Sequence, residues 1–188
     1  GSRERVEYNQ SHTLGIPTND PPGIVPGGMT TVNNFLYARN TYYWSRRACA
    51  CAYGDYSKAK IYHWLHRADL NSAARILEST KEPLEGRVWH DYPGQPDPVV
   101  AGSMNQPTHI GRVLDDGTTQ LYTYAYGGFG QVTNSIDPVG RTFSYIYATN
   151  GIDLLEVRQT RAGNNELLSR RTYNAQHLPL TLVDAAGQ

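Results

Sequence analysis

Five aspartates, Asp115, Asp116, Asp137, Asp153 and Asp184, are the side chains that could do acid–base chemistry, because hydrolysis of a glycosidic bond needs two carboxylates flanking it. All of them lie within three residues of a Gly or Pro, where an aspartate usually bonds its own backbone and closes a turn. No Ser-His-Asp pattern, phosphate-cradling glycine loop or zinc signature accompanies them, so the sequence is read as that of a non-enzyme. Cys49 and Cys51 are the two cysteines. As neighbours on one face of a strand they would be too close for a comfortable disulfide. His63 and His66 follow, yet Cys-x-Cys lacks the usual ligand spacing of a zinc site. Neither a metal nor another cofactor is expected, and the thiols read as small, buried or half-buried side chains. What remains is aromatic chemistry: Tyr122, Tyr124 and Tyr126 recur with period two and must share one face of a strand. Their flat rings and hydroxyls could stack on sugars or on a protein, or simply pair across strands within a sheet.

The composition suits strands. Tyrosine occurs 14 times against 3 Phe and 3 Trp, a large ring with a polar tip that fits half-buried pleated surfaces. A chain of 188 residues can build a core without a disulfide staple. Seventeen basic side chains balance seventeen acidic ones, which leaves no electrostatic footprint for nucleic acid or an anionic membrane. Arg46-Arg47 and Arg170-Arg171, as neighbours on strands, would point to opposite faces and form no basic patch. No run approaches the ~20 apolar residues of a membrane helix, and no charged-then-apolar leader opens the sequence. Gly1-Ser2 reads as a cloning scar.

Three stretches can be separated. Residues 1–29 are rich in Gly and Pro and predict an extended arm without regular elements. Residues 30–110 predict degenerate hairpins, beginning with Val32, Phe35, Leu36 and Tyr37 and continuing through Tyr42, Tyr43 and Trp44. Between Tyr56 and Glu78 many helix formers compete with an alternation of Ile61, His63 and Leu65 against Tyr62, Trp64 and His66; the alternation predicts strand and turn. Residues 75–79 should pair with residues 87–91 around a turn at 81–86. The prolines of Tyr92 to Pro107 exclude a central strand. Residues 111–188 carry the clearest pattern, with a strand at 111–114, an Asp115-Asp116-Gly117 turn and a strand at 120–126.

A repeat lies in this last stretch. Tyr126 and Tyr173, Asp137 and Asp184, and Gly140 and Gly187 are each separated by 47 residues, a fixed offset that marks repeated units. A looser copy runs between them through Tyr145, Tyr147, Gly151 and Gly163. In each unit paired tyrosines end a strand, a turn with Gly130 or Asn174 follows, a second strand runs out, and Asp-x-x-Gly closes the next turn. One hairpin cannot bury its own face, so the fold class expected is all-β, successive antiparallel hairpins joined edge to edge into a curved sheet.

The segment YTYAYGGFGQVTNSIDPVGRTFSYIY resembles the RHS or YD repeat, in which Tyr-x-Tyr, a Gly turn and Asp-Pro-x-Gly-Arg precede the next aromatic strand. The resemblance covers about Gly111 to Gln188, and YARNTYYW, IYHWLHRAD and IGRVLDDGTTQLY are similar to the region preceding such repeats in large bacterial proteins. It departs from the pattern where Tyr126 and Tyr147 are followed by Gly127 and Ala148 and where Ala185 follows Asp184. Asp137-Pro138-Val139-Gly140 also resembles half of the paired motif of a shell-end protease, but Asp184-Ala185-Ala186-Gly187 stands a whole repeat away and both read as turns. The resemblance implies a structural module of a secreted or cell-surface protein, whose hairpins join neighbouring repeats of the same chain into a hollow shell around a C-terminal toxin. It also implies an alternative, because related teneurins use such a shell in adhesion: a surface that binds a glycan or a cell-surface protein. A cut ribbon leaves open strand edges, which predicts a homodimer through those edges or an edge covered by the arm.

Overall fold

The computed structural model describes residues 3–9 and 24–188. Among these residues twelve strands form one sheet and are hydrogen-bonded in chain order: β1 (Arg5–Asn9), β2 (Asn40–Trp44), β3 (Lys60–His66), β4 (Ala73–Lys81), β5 (Val88–Asp91), β6 (His109–Val113), β7 (Thr119–Tyr126), β8 (Val132–Ile136), β9 (Thr142–Tyr147), β10 (Leu154–Arg161), β11 (Asn164–Tyr173) and β12 (Pro179–Asp184). The architecture is all-β and mostly antiparallel, and its one α-helix among the described residues is α1 (Arg46–Ala52). Two compact units divide within β7, Gly1–Leu121 and Tyr122–Gln188, whereas composition divides the chain at 110/111.

The first unit has a hydrophobic core. Along β3 burial alternates strictly, with Ile61, His63 and Leu65 inward and Lys60, Tyr62, Trp64 and His66 half-buried, the period-two pattern of a strand with one covered face. On β2 the inward residues are Asn40, Tyr42 and Trp44. Tyr42, Trp44, Ala59 and Ile61 pack together, with Ala48, Cys49 and Tyr56 against them. β4 and β5 pair as Ser79 with Trp89 and Thr80 with Val88, which matches the hairpin read from residues 75–79 and 87–91. Trp89 is fully buried, and its indole N–H donates to the Ile24 carbonyl at 3.2 Å. The Pro-rich segment after β5 is tied down by its own amide side chain: Gln95 accepts from Tyr92 N–H and donates to the carbonyls of Pro98 and Val100. Beyond it, His66 and Val99–Ala101 exchange two backbone bonds of 2.8 Å.

Three expectations for this unit are corrected. Cys49, Cys51 and Arg46-Arg47 lie on a helix and not on a strand: Ser45 adopts an extended conformation, its hydroxyl accepts the Ala48 N–H at 3.3 Å, and the Arg and Ala that follow are good helix formers. Residues 30–39 make no strand, because Phe35 (φ 60°) and Arg39 (φ 55°) take left-handed conformations that interrupt an extended chain. Arg5–Asn9, within the stretch read as an irregular arm, pairs with β2 from Arg5 opposite Trp44 to Asn9 opposite Asn40. The rest of that arm, residues 10–23, lies outside the described residues.

The second unit is built differently. Among its described residues only Asp153 is buried, and no hydrophobic side chain is. Register fixes its two faces. Tyr124 pairs with Ser135, Ser135 with Phe143, and Tyr145 with Val157, so Tyr122, Tyr124, Tyr126, Phe143, Tyr145 and Tyr147 share a face across the small Ser135. The opposite face carries Ile136 and Ile146 among mostly polar side chains: Asn134 donates to Ser144 at 3.1 Å, and Glu156, opposite Arg170, receives both Arg170 and Arg158 at 2.7 Å. Thr172 and Thr181 hydroxyls meet at 2.7 Å.

Candidate functional site

The residues singled out from the sequence fall into the turns and the aromatic face of the second unit. Tyr122, Tyr124 and Tyr126 lie on β7, Tyr145 and Tyr147 on β9, and Tyr173 ends β11. Gly130 stands in the β7–β8 turn, Asp137 and Gly140 in the β8–β9 turn, Gly151 in the β9–β10 turn, and Asp184 and Gly187 close the turn after β12.

One turn geometry recurs. In residues 114–118, 127–131, 137–141, 174–178 and 184–188 the fourth residue's N–H donates to the first residue's carbonyl, and the first residue's N–H donates to the fifth's carbonyl. The fourth residue is left-handed every time: Gly117, Gly130, Gly140, His177 and Gly187, with φ of 82°, 79°, 82°, 61° and 80°. This is a type I turn followed by a bulge residue, the common three-residue hairpin connection. Asp137 Oδ1 accepts from Val139 and Arg141 N–H; Asn174 accepts from Gln176 and Leu178, and Asp184 from Ala186 and Gln188, at the same positions. Turns 127–131 and 174–178, and turns 137–141 and 184–188, are 47 residues apart. The hairpin structure thus repeats at the spacing seen in the sequence.

The aromatic face brings the tyrosines close. The rings of Tyr124 and Tyr126 are 6.5 Å apart at 31°, and Tyr145 Oη lies 3.2 Å from Ser135 Oγ. Tyr173 donates to the Leu154 carbonyl at 3.1 Å. Partial burial, then neighbouring tyrosines, push the Tyr124, Tyr126 and Tyr147 hydroxyls above the usual phenol range, so at neutral pH they are protonated donors on a mostly apolar surface. Tyr122 remains 40% exposed.

At one end of this sheet the turns touch. A side chain at Gly151 would run into the Phe129 ring, and His177 Nδ1 meets the Asp153 carboxylate, which also accepts from Asn150 Nδ2 at 2.7 Å. The His177 bond, followed by that from Asn150, holds the Asp153 carboxyl below the usual carboxylate range, although burial opposes it. Asp153 was weighed as a candidate acid; with both oxygens bonded to His177 and Asn150, it acts as a clip. Asp115 and Asp116 stay at the 114–118 turn, where Asp116 Oδ1 accepts from Thr118. Asp137, Asp153 and Asp184 each bond within their own or a neighbouring turn.

A buried polar cluster in the first unit went unread. Arg39, His63 and Glu78 are completely buried, and Asn40 nearly so. Asn40 donates through Nδ2 to the Leu36 carbonyl at 2.7 Å, which turns its Oδ1 toward His63 Nδ1 at 2.9 Å. Nδ1 therefore carries a proton, and His63 Nε2 stands 3.2 Å from Glu78 Oε2. Arg39 Nη1 approaches the same oxygen at 3.4 Å and also bonds the Trp64 carbonyl. Burial pushes the Glu78 carboxyl up to about 8 against the pull of Arg39, and Glu78 Oε1 has no hydrogen-bond partner among the described residues. Sealed from solvent, the cluster joins β2, β3 and β4, and its burial favours the protonated form of Glu78. The signal was present in His63 at an inward position between Ile61 and Leu65 and in Glu78 following Ile76-Leu77.

No group of three His, Cys, Asp or Glu among the described residues is arranged to hold a metal. In comparisons with known proteins, the chain matches no family model and no curated protein.

Proposed function

We propose that the chain is a structural module of RHS/YD-type hairpin repeats, part of a β-shell that encloses or presents a C-terminal toxin in a secreted protein. The observation that carries this reading is the 47-residue recurrence of one turn geometry together with its side-chain caps at Asp137 and Asp184. The second unit supports it physically. A sheet with an aromatic face and no buried hydrophobic side chain is stabilised through its neighbours, as repeat units are. Electron microscopy of the full-length gene product tests it: further hairpins at the same spacing in the wall of a hollow particle are expected, and an aromatic face packed into an unrelated solid fold overturns it.

An alternative reading, adhesion or glycan binding through the aromatic face, is favoured by the exposure of Tyr122 beside the tilted rings of Tyr124 and Tyr126. Glycan-array binding that is lost on Tyr124→Ala would support it, and a blank array would leave the shell reading alone.

A further inference from the structure

A groove of about 470 Å³ runs in the first unit between α1, the β2–β3 pair and the β4–β5 connection. Tyr43, Ala48, Cys51 and Pro83 give it an apolar lining, and Arg47 and Lys58 stand among them. The groove exists because α1 presents Ala and Cys here, side chains too short to fill the space. Ala48 also packs on the Tyr42, Trp44, Ala59 and Ile61 core, which holds this wall in place.

Its charges are not balanced. Lys60, at the same groove, is paired with Glu82. Arg47 and Lys58 form no ion pair within 4.0 Å among the described residues, although Lys58 acts electrostatically on Asp55 and Glu4 bonds the Tyr43 hydroxyl, so Arg47 above all brings an unpaired cation to an apolar surface, with Lys58 beside it. A carboxylate set between them would gain charge-assisted hydrogen bonds, strongest from the guanidinium fork, and the apolar remainder of its molecule would leave water against the lining. The volume falls within the range of small-molecule sites, ~300–1,000 Å³.

We propose that this groove binds a small amphipathic anion, an apolar chain or ring bearing one carboxylate, with the body on Tyr43, Ala48, Cys51 and Pro83 and the head between Arg47 and Lys58. The inference is independent of the repeat reading, because it rests on the first unit alone. Cys51 is exposed and sits in the groove wall, so it reports occupancy locally, whatever binds elsewhere on the chain.

The experiment follows alkylation of Cys51 by a maleimide on the whole chain, with Cys49 and Cys51 separated by peptide fragmentation in the mass spectrometer. The probes are decanoate, kept below its micelle concentration, and the uncharged decanol. Decanoate is expected to slow alkylation of Cys51 and decanol to do so far less. Arg47→Glu with Lys58→Glu should raise the half-protecting concentration about tenfold or more. Arg47→Gln, the milder change, should shift it in the same direction. Absence of protection, equal protection by decanol, or protection unchanged in both variants would overturn the proposal.

Discussion

His177 Nδ1 lies 3.0 Å from Oδ2 and 3.1 Å from Oδ1 of Asp153, a contact that spans 24 residues of chain and joins the β9–β10 turn to the β11–β12 turn. His177 occupies the one position of the recurring turn where the other four examples place Gly. A left-handed histidine is strained, and a bond to a buried carboxylate compensates for it. Because the folded state holds Asp153 below its ordinary value of 3.8, its contribution to stability is present above that pH and is lost as pH falls through the folded value. Acid titration of wild type and Asp153→Asn, followed by hydrogen exchange at the two turns, should show a loss below pH 3.8 in wild type that the variant lacks.

Glu78 has the opposite sign. Its folded value is raised from 4.5 to about 8 by burial, so its protonation contributes stability fully below pH 4.5, and that contribution is lost as pH rises through about 8. Urea denaturation across this window should show stability declining in wild type relative to Glu78→Gln. A difference between the two proteins that stays flat with pH would contradict the raised Glu78 value.

Gly140 and Gly187 have open space where a side chain would go and φ of 82° and 80°. Alanine there costs only backbone strain, about 1–2 kcal/mol. At Gly151, φ is 70° and the Phe129 ring blocks the space as well, so Gly151→Ala should cost more, and Phe129→Ala should relieve part of that cost. Thermal denaturation of the single and double variants measures both terms, and additivity of the pair would refute the contact.

Burial sets the ranking of local stability. Trp44, Leu65 and Trp89 are fully buried in the first unit, while Leu178, Leu180 and Leu182 on and beside β12 are each at least 60% exposed. Native-state hydrogen exchange should find the slowest amides on β2 and β3 and the fastest strand amides on β12. Equal protection on β3 and β12 would mean that the second unit's apolar face is covered.

The hairpins were legible because their signals are local. Asp115-Asp116-Gly117 and Asp137-Pro138-Val139-Gly140 specify turns within a few residues, and alternation at 60–66 overrode the helix formers around it. What was missed depends on partners distant in sequence or on a single capping atom. Arg5–Asn9 becomes a strand because β2 offers it an edge. Ser45 turns RRACACA into a helix, a signal that was present but outweighed by the strand residues before it. The Arg39, His63 and Glu78 cluster joins residues up to 39 apart, and each alone looks like an ordinary polar side chain. The aromatic face followed from period two, but its extent across β8 rests on the small Ser135 and on register.

The 47-residue recurrence also bears on how such a gene can change in length. A block of that size contains an even number of strands, β8 to β11, and begins and ends at equivalent turns. Duplicating or deleting one block by unequal recombination would return the chain to the same end of the sheet, running in the same direction. The aromatic side chains would still emerge on one face and the ionic ones on the other. A change of any odd number of strands would reverse the direction of every later strand, so the sheet keeps its later strands in place only when strands are gained or lost in even numbers, as they are in whole blocks.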